Sequence, residues 1–287
     1  ISPVERMTFM ATGSFDLTPS HELYGEFMYN NRQSSTASYR QLFPNVAAAN
    51  PNNPFGQISR SIISLPYGNE QDIDFFRGVG GIRGDLNFLN GWSYDIYAQW
   101  GKSDAQYSGN IILNDRVLAT TGAAGCDPSL ITISDPVDCV AVNYFRPSTV
   151  ATGEFTPEEA AFLFLNETAS TTYEQQLVSG IVTGDVFELP AGAFAAAFGF
   201  EWRNEEIDDT PGYNTRNGNS WGLTSAGRTA GEDTVFEYFT EVEAPLVRGA
   251  TLFEDLSLNA SYRWTDYESY GKNETYKVGL NWQITPR

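Results

Sequence analysis

The sequence predicts an all-β fold and, within that class, a partial antiparallel up-and-down transmembrane β-barrel of about nine strands. Three observations predict it. Tyr 15, Phe 19 and Trp 6 occur beside Gly 26, a mixture that suits pleated, half-buried strands joined by polar turns. Apolar and polar residues alternate with period two over segments longer than the roughly 5–6 residues usual for globular strands. Short connections alternate with long ones, as between the periplasmic and extracellular ends of such a barrel.

The first segment places Met7, Phe9, Ala11, Phe15 and Leu17 against Arg6, Thr8, Thr12, Ser14 and Asp16. After Thr18-Pro19-Ser20-His21 the alternation resumes with Leu23, Gly25, Phe27 and Tyr29. Phe76 to Phe88 sets Ile82, Leu86 and Phe88 against Arg83, Asp85 and Asn87; a turn at Asn90-Gly91 leads to Trp92, Tyr94, Ile96, Ala98 and Trp100. A strand over Thr172–Leu189 turns at Pro190-Ala191-Gly192 into Phe194, Ala196, Phe198, Phe200 and Trp202. Phe236, Tyr238, Val242 and Leu246 follow, then Leu256, Leu258, Ala260, Tyr262 and Trp264, and last Tyr276, Val278, Leu280, Trp282 and Ile284. A β-sandwich also alternates. Strand length, aromatics near the ends of the apolar face, and Glu, Asp, Arg and Lys on the opposite face favour a lipid-facing wall with a wet lumen.

Three long connections are expected near Ser35–Asp72, Gly109–Thr171 and Asp208–Gly231, and Glu268–Asn273 is a short one that breaks the alternation. The second holds a helix: Thr156 caps it, Pro157 takes its first position, and Glu159 completes a capping box before Ala160-Ala161-Phe162-Leu163-Phe164-Leu165. It also holds both cysteines, Cys126 and Cys139. A disulfide there would close a loop of about 14 residues, stabilise it by roughly 3 kcal/mol, and imply an oxidising compartment; two unpaired loop thiols are the alternative.

Composition excludes some functions. A formal net charge of −19 leaves no basic footprint for nucleic acid. No apolar run reaches the length of about 18 that a spanning helix needs, whereas Ala191–Phe200 suffices for a tilted strand. Ile1-Ser2-Pro3-Val4 shows no signal peptide, so a leader has been removed or the segment comes from within a longer chain. His21 beside Ser20 lacks a positioned third partner, and no enzyme activity is expected. Gly78-Val79-Gly80-Gly81-Ile82-Arg83-Gly84 departs from a phosphate-binding loop and lies in a strand. Asp208-Asp209 and Asp135/Asp138 lack calcium-loop spacing, so no metal or cofactor is expected.

Gly184-Asp185-Val186-Phe187-Glu188-Leu189-Pro190-Ala191-Gly192, followed by Phe198-Gly199-Phe200-Glu201-Trp202-Arg203, resembles a hairpin of the TonB-dependent receptors of Gram-negative bacteria. Thr156-Pro157-Glu158-Glu159 and the paired cysteines are similar too, and the resemblance covers nearly the whole chain. It implies an outer-membrane location and TonB-energised uptake of a scarce small-molecule ligand: siderophore, cobalamin, saccharide or peptide. The implied partners are the lipid bilayer and, through a plug domain, the TonB complex. That plug and its TonB box are not recognisable here, and such barrels have about 22 strands. Residues 1–287 are therefore read as one partial barrel domain, an internal fragment. Tyr39, Phe43, Tyr213 and Trp221 are candidate ligand-contacting loop residues; Glu201, Arg203, Glu237, Glu241 and Glu243 are candidates for lining the lumen. The acidic row would attract cationic or metal-bearing substrates, or form a hydrated wall facing plug arginines. Two alternatives remain: a passive porin or small self-contained barrel, and a secreted carbohydrate-binding β-sandwich.

Overall fold

The computed structural model describes residues 2–89, 91–223 and 226–285. Ile1, Asn90, Thr224, Ser225, Pro286 and Arg287 lie outside the described residues, and with them part of the expected Asn90-Gly91 turn.

The chain opens with a hairpin of β1 (Val4–Thr18) and β2 (His21–Leu42). A small ribbon of β3 (Asn45–Val46) and β4 (Ser59–Arg60) follows. Then come β5 (Ile63–Asp85), β6 (Ser93–Ile112), β7 (Phe164–Leu189), β8 (Gly192–Thr210), β9 (Thr229–Ala250), β10 (Phe253–Tyr267) and β11 (Gly271–Gln283). Apart from β3 and β4, the strands form one 9-stranded sheet in chain order, every neighbouring pair antiparallel. The expected strand number and up-and-down order are therefore present. Among the described residues β1 and β11 each pair on one side only.

Several strands run further than the alternation predicts. β2 and β5 stay in register from Ser35↔Glu70 to Leu42↔Ile63, which shortens the first long connection to residues 43–62. The other two shorten to 113–163 and 211–228. Ser34–Ser38 of β2 and Gly68–Asp72 of β5 are largely polar on both faces, so ladder hydrogen bonds define these stretches where hydrophobic periodicity cannot. Tyr39 consequently lies in β2, paired with Pro66, and is not a loop residue. At the other end β5 stops at Asp85, so Leu86 and Phe88 belong to a turn, where Phe88 is exposed. A register shift near Leu256 removes Leu246 from the regular ladder.

Because paired residues share a face, the register assigns every side chain to one of two surfaces. One ladder row reads Phe15, Leu23, Ile82, Ile96, Gly180, Phe200, Tyr238, Trp264 from β1 to β10. It starts near the Thr18 end of β1 and arrives near the opposite, Tyr267 end of β10, so successive strands are staggered. Around this row lies a band of uncharged residues including Phe27, Val182, Phe198, Val242, Leu258 and Leu280. Towards the long connections the same surface turns charged at Asp74, Lys102, Glu174, Glu206, Asp266 and Glu274. Tyr29, Phe76, Trp100, Trp202 and Phe236 mark the transition.

Among the described residues no second layer covers this band. Every residue of β1 is exposed, and Phe198 and Phe200 keep 49% and 38% of their surface accessible. A sandwich would have packed them away. Nine strands about 4.8 Å apart, each giving about seven residues of 3.3 Å rise, present on the order of 1,000 Å² of apolar surface. Soluble monomers rarely show contiguous patches beyond a few hundred Å².

The hydrophobic core lies elsewhere, among the connections. Leu42, Ile63 and Leu65 at the ends of β2 and β5 pack with Val46, Val117, Val142, Tyr144, Phe162 and Leu163. Two helices contribute residues to it, α1 (Asn114–Thr121) through Val117 and α3 (Pro157–Leu163) through Phe162 and Leu163; the connections also carry α2 (Pro147–Thr152), α4 (Tyr213–Arg216) and a 3-10 turn at Pro128–Leu130. α3 has the expected capping box, with Thr156 and Glu159 bonding each other's backbone. It stops at Leu163, two residues earlier than the apolar run suggests, because Phe164 enters β7. α2 ends at Gly153 with φ 76°, packed against Ser64 O, a site with no room for a Cβ. Cys126 and Cys139 form a disulfide, tying the segment between them to the partly buried edge of this core.

Candidate functional site

The surface opposite the apolar band carries the polar chemistry. Glu201, Arg203, Glu237, Glu241 and Glu243 all fall on it, as their register requires: Glu201 faces Glu237, Ala197 faces Glu241, and Ala195 faces Glu243. Arg203 lies 3.0 Å from Glu201 within β8. Glu237 accepts hydrogen bonds from Arg263 Nη1 and Thr265 Oγ1, each at 3.0 Å. The Arg263 guanidinium lies over the Phe239 ring. Glu237 is therefore satisfied within its own sheet. Glu241 and Glu243 line an open groove of about 490 Å³ floored by Ala195 and Ala197 and edged by Asn259, Ser261 and Lys277.

A second polar chain on this surface is invisible in the sequence. Arg77 Nε donates to Gln99 Oε1 at 2.8 Å, Gln99 to Gln175 at 3.0 Å, and Gln175 to Glu205 at 2.7 Å. Tyr173 Oη also donates to Glu205. The links cross β5, β6, β7 and β8, so only the register brings these residues together.

The loop unit closes over one end of the polar surface, since Leu42, Ile63 and Leu65 belong to that face and to its core. Two buried carboxylates organise it. Asp115, in the first turn of α1, accepts from the Ile133 and Ser134 backbone N–H groups at 3.0 and 2.8 Å and from Ser134 Oγ. Burial alone would raise its pKa; the donors from Ser134, Ile133 and Asn219 outweigh burial and hold the carboxyl below its usual range. Glu159 takes a forked pair from Arg146 at 2.6 and 2.8 Å, plus the backbone N–H groups of Thr156 and Asn143, both at 2.9 Å. Here too burial pushes the pKa up, and Arg146 with the two backbone donors brings it below the ordinary value. Arg116 is buried by the same core and donates to Phe162 O at 2.7 Å. These contacts hold the 113–163 connection in one shape and, through the Asp115 N–H bonded to Asn219 Oδ1, tie it to the 211–228 connection.

Of the four aromatic candidates, the structure brings two together. The Phe43 and Trp221 rings meet edge-on with centroids 5.9 Å apart, and Trp221 packs against the loop core. Tyr39 and Tyr213 stand exposed, outside that pair. His21 Nδ1 lies 3.2 Å from Tyr94 Oη. Asp208 is paired with Arg228, whose Nε donates at 2.9 Å, and Asp209 accepts from Thr171 Oγ1. Among the described residues no cluster of three or more His, Cys, Asp or Glu side chains is placed to hold a metal, and no helix is long and apolar enough to cross a membrane. Neither a protein-family model nor a curated protein matches the chain.

Proposed function

We propose that these nine strands are consecutive strands of an outer-membrane β-barrel, and that the parent is a TonB-dependent receptor importing a scarce small-molecule ligand. The observation that carries the barrel reading is the uncharged band crossing all nine strands on one face, uncovered, with charged residues beginning above it on that face. In lipid such a band needs no partner; in water it would be an aggregation surface. The stagger between strands is what closure of a sheet into a tilted barrel requires. In that reading β1 and β11 pair onward with further strands, because backbone groups left unpaired in lipid cost several kcal/mol each.

The polar surface then faces the lumen. Short turns at Pro19–Ser20, Pro190–Ala191 and Thr251–Leu252 lie on the periplasmic side, and the loop unit faces outward. A packed, disulfide-tied unit over the lumen end favours a gated receptor over an open pore. The hairpin Gly184–Arg203, with its receptor-like pattern, is the join of β7 and β8 in the middle of the sheet.

Fractionation and uptake test the two levels separately. The intact protein should sediment with outer membranes, resist alkaline extraction and need detergent. Ligand accumulation should vanish in a strain lacking TonB. Release into buffer as a soluble monomer would defeat the barrel reading; accumulation unchanged without TonB would defeat the receptor reading.

A further inference from the structure

The charges on the polar surface are segregated, and that segregation points to a ligand class. On β1, β2, β5 and β6, over the ladder rows of residues 4–10, 28–42, 63–77 and 101–111, the register assigns Arg6, Arg32, Arg40 and Arg77 to this face and no Asp or Glu; Glu26, in the next row beyond Arg77, is the first carboxylate on it. The carboxylates of the same stretch, such as Asp72, Asp74 and Asp104, lie on the other face. In a chain with Asp+Glu 36 against Lys+Arg 17, four arginines without an acid among them make an unusual surface.

The arginines are also unneutralised. Among the described residues none of the four is within salt-bridge distance of a carboxylate. Arg6 and Arg32 stand directly opposite each other across β1 and β2, an arrangement of like charges that weakens a strand pair. Arg32 Nε and both Nη atoms of Arg40 are buried without a hydrogen-bond acceptor. Arg40 stacks on Tyr67, 5.3 Å from the ring centroid, directly beneath the loop core. Buried cations are normally paired, and one left unpaired is costly.

We infer that this arginine face, below the loop unit, is the binding surface for an anionic ligand bearing carboxylate or phosphate groups. The inference rests on the lumen assignment above and adds the charge of the cargo to it. The net charge of −19 does not forbid it: at physiological salt a charge is largely screened beyond about 8 Å, and Asp72, Asp74 and Asp104 lie across the sheet. Guanidinium forks match planar carboxylates and phosphates better than a lysine ammonium would, and all four cations are arginine.

The test titrates citrate, and separately inorganic phosphate, into the detergent-solubilised intact protein by calorimetry, with maltotriose as the uncharged control. Arg32→Gln and Arg40→Gln, about 26 Å apart along β2, should each weaken by about tenfold the binding of the anion that its own guanidinium holds. High salt should weaken it further. Arg248→Gln, at the far end of β9, should leave it unchanged. Binding of one anion without the other still supports the inference and tells carboxylate from phosphate. Anions binding no better than maltotriose, or losses as large for Arg248→Gln as for Arg32→Gln, would overturn it. Outer-membrane fractionation of the same proteins separates the two failures: correct insertion without anion binding rejects only the ligand class.

Discussion

Leu258 and Asn259 are adjacent in β10 and fall on opposite faces of the sheet, so one substitution made at each isolates the environment of each face. Leu258 pairs with Leu280 on β11 and Ala244 on β9, inside the uncharged band; Asn259 pairs with Gly279 and Glu243 on the polar wall. In the proposed bilayer Leu258→Arg places a guanidinium among lipid chains, at a cost of about 2–4 kcal/mol near the midplane. Asn259→Arg adds a cation beside Glu243 in a hydrated lumen, where surface changes lie within about 0.5 kcal/mol. If both faces met water, Leu258→Arg would also fall within about 0.5 kcal/mol, because Leu258 is already 37% exposed. The expected difference is thus at least about 1.5 kcal/mol. Denaturant titration of the intact protein in lipid vesicles, with folded fraction read from heat-dependent gel mobility, measures it. Equal costs at the two positions would refute the assignment of the faces.

Further outcomes follow for the loop unit. Replacing both Cys126 and Cys139 by Ser should destabilise it by about 3 kcal/mol in the chain-entropy picture, seen as faster proteolysis between residues 113 and 163 with the sheet intact. Thr156→Ala removes the cap of α3 and should cost about 1 kcal/mol, read from hydrogen exchange of Ala160 to Leu163. Asp115 and Glu159 have folded pKa values below their unfolded ones. Their stabilisation is fully present above the unfolded values near 4, and falls as pH drops through the lower folded values. Proteolysis of this region should accelerate below about pH 4 and stay flat between pH 5 and 7; acceleration on raising the pH instead would contradict the sign.

How much of this was legible depended on whether a feature is local. Phe198, Phe200 and Trp202 alternate with Gly199, Glu201 and Arg203, so the faces of β8 could be read directly from period two. The α3 capping box sits within four consecutive positions and was equally plain. The upper parts of β2 and β5 were not: Ser34 to Ser38 and Gly68 to Asp72 are polar on both faces and resemble loop sequence, and only their mutual register makes them strands. The loop core was hidden because Val46, Val117, Val142 and Tyr144 sit in short apolar groups, such as Val117-Leu118-Ala119 and Val140-Ala141-Val142, that lie far apart in polar connections and share no period. The arginine face was hidden for the same reason as the Arg77–Gln99–Gln175–Glu205 chain, since residues far apart in sequence meet only across ladder rows.

The most direct test of the proposal that the uncharged band faces lipid is a spin-label scan along β10 from Leu256 to Trp264 in the intact protein, reconstituted into a bilayer. The account predicts that oxygen, which concentrates in lipid, relaxes labels at the even positions, while a water-soluble nickel chelate relaxes those at the odd ones, in strict alternation. Nickel access at Leu258, Ala260 and Tyr262 equal to that at Asn259 and Ser261 would contradict it.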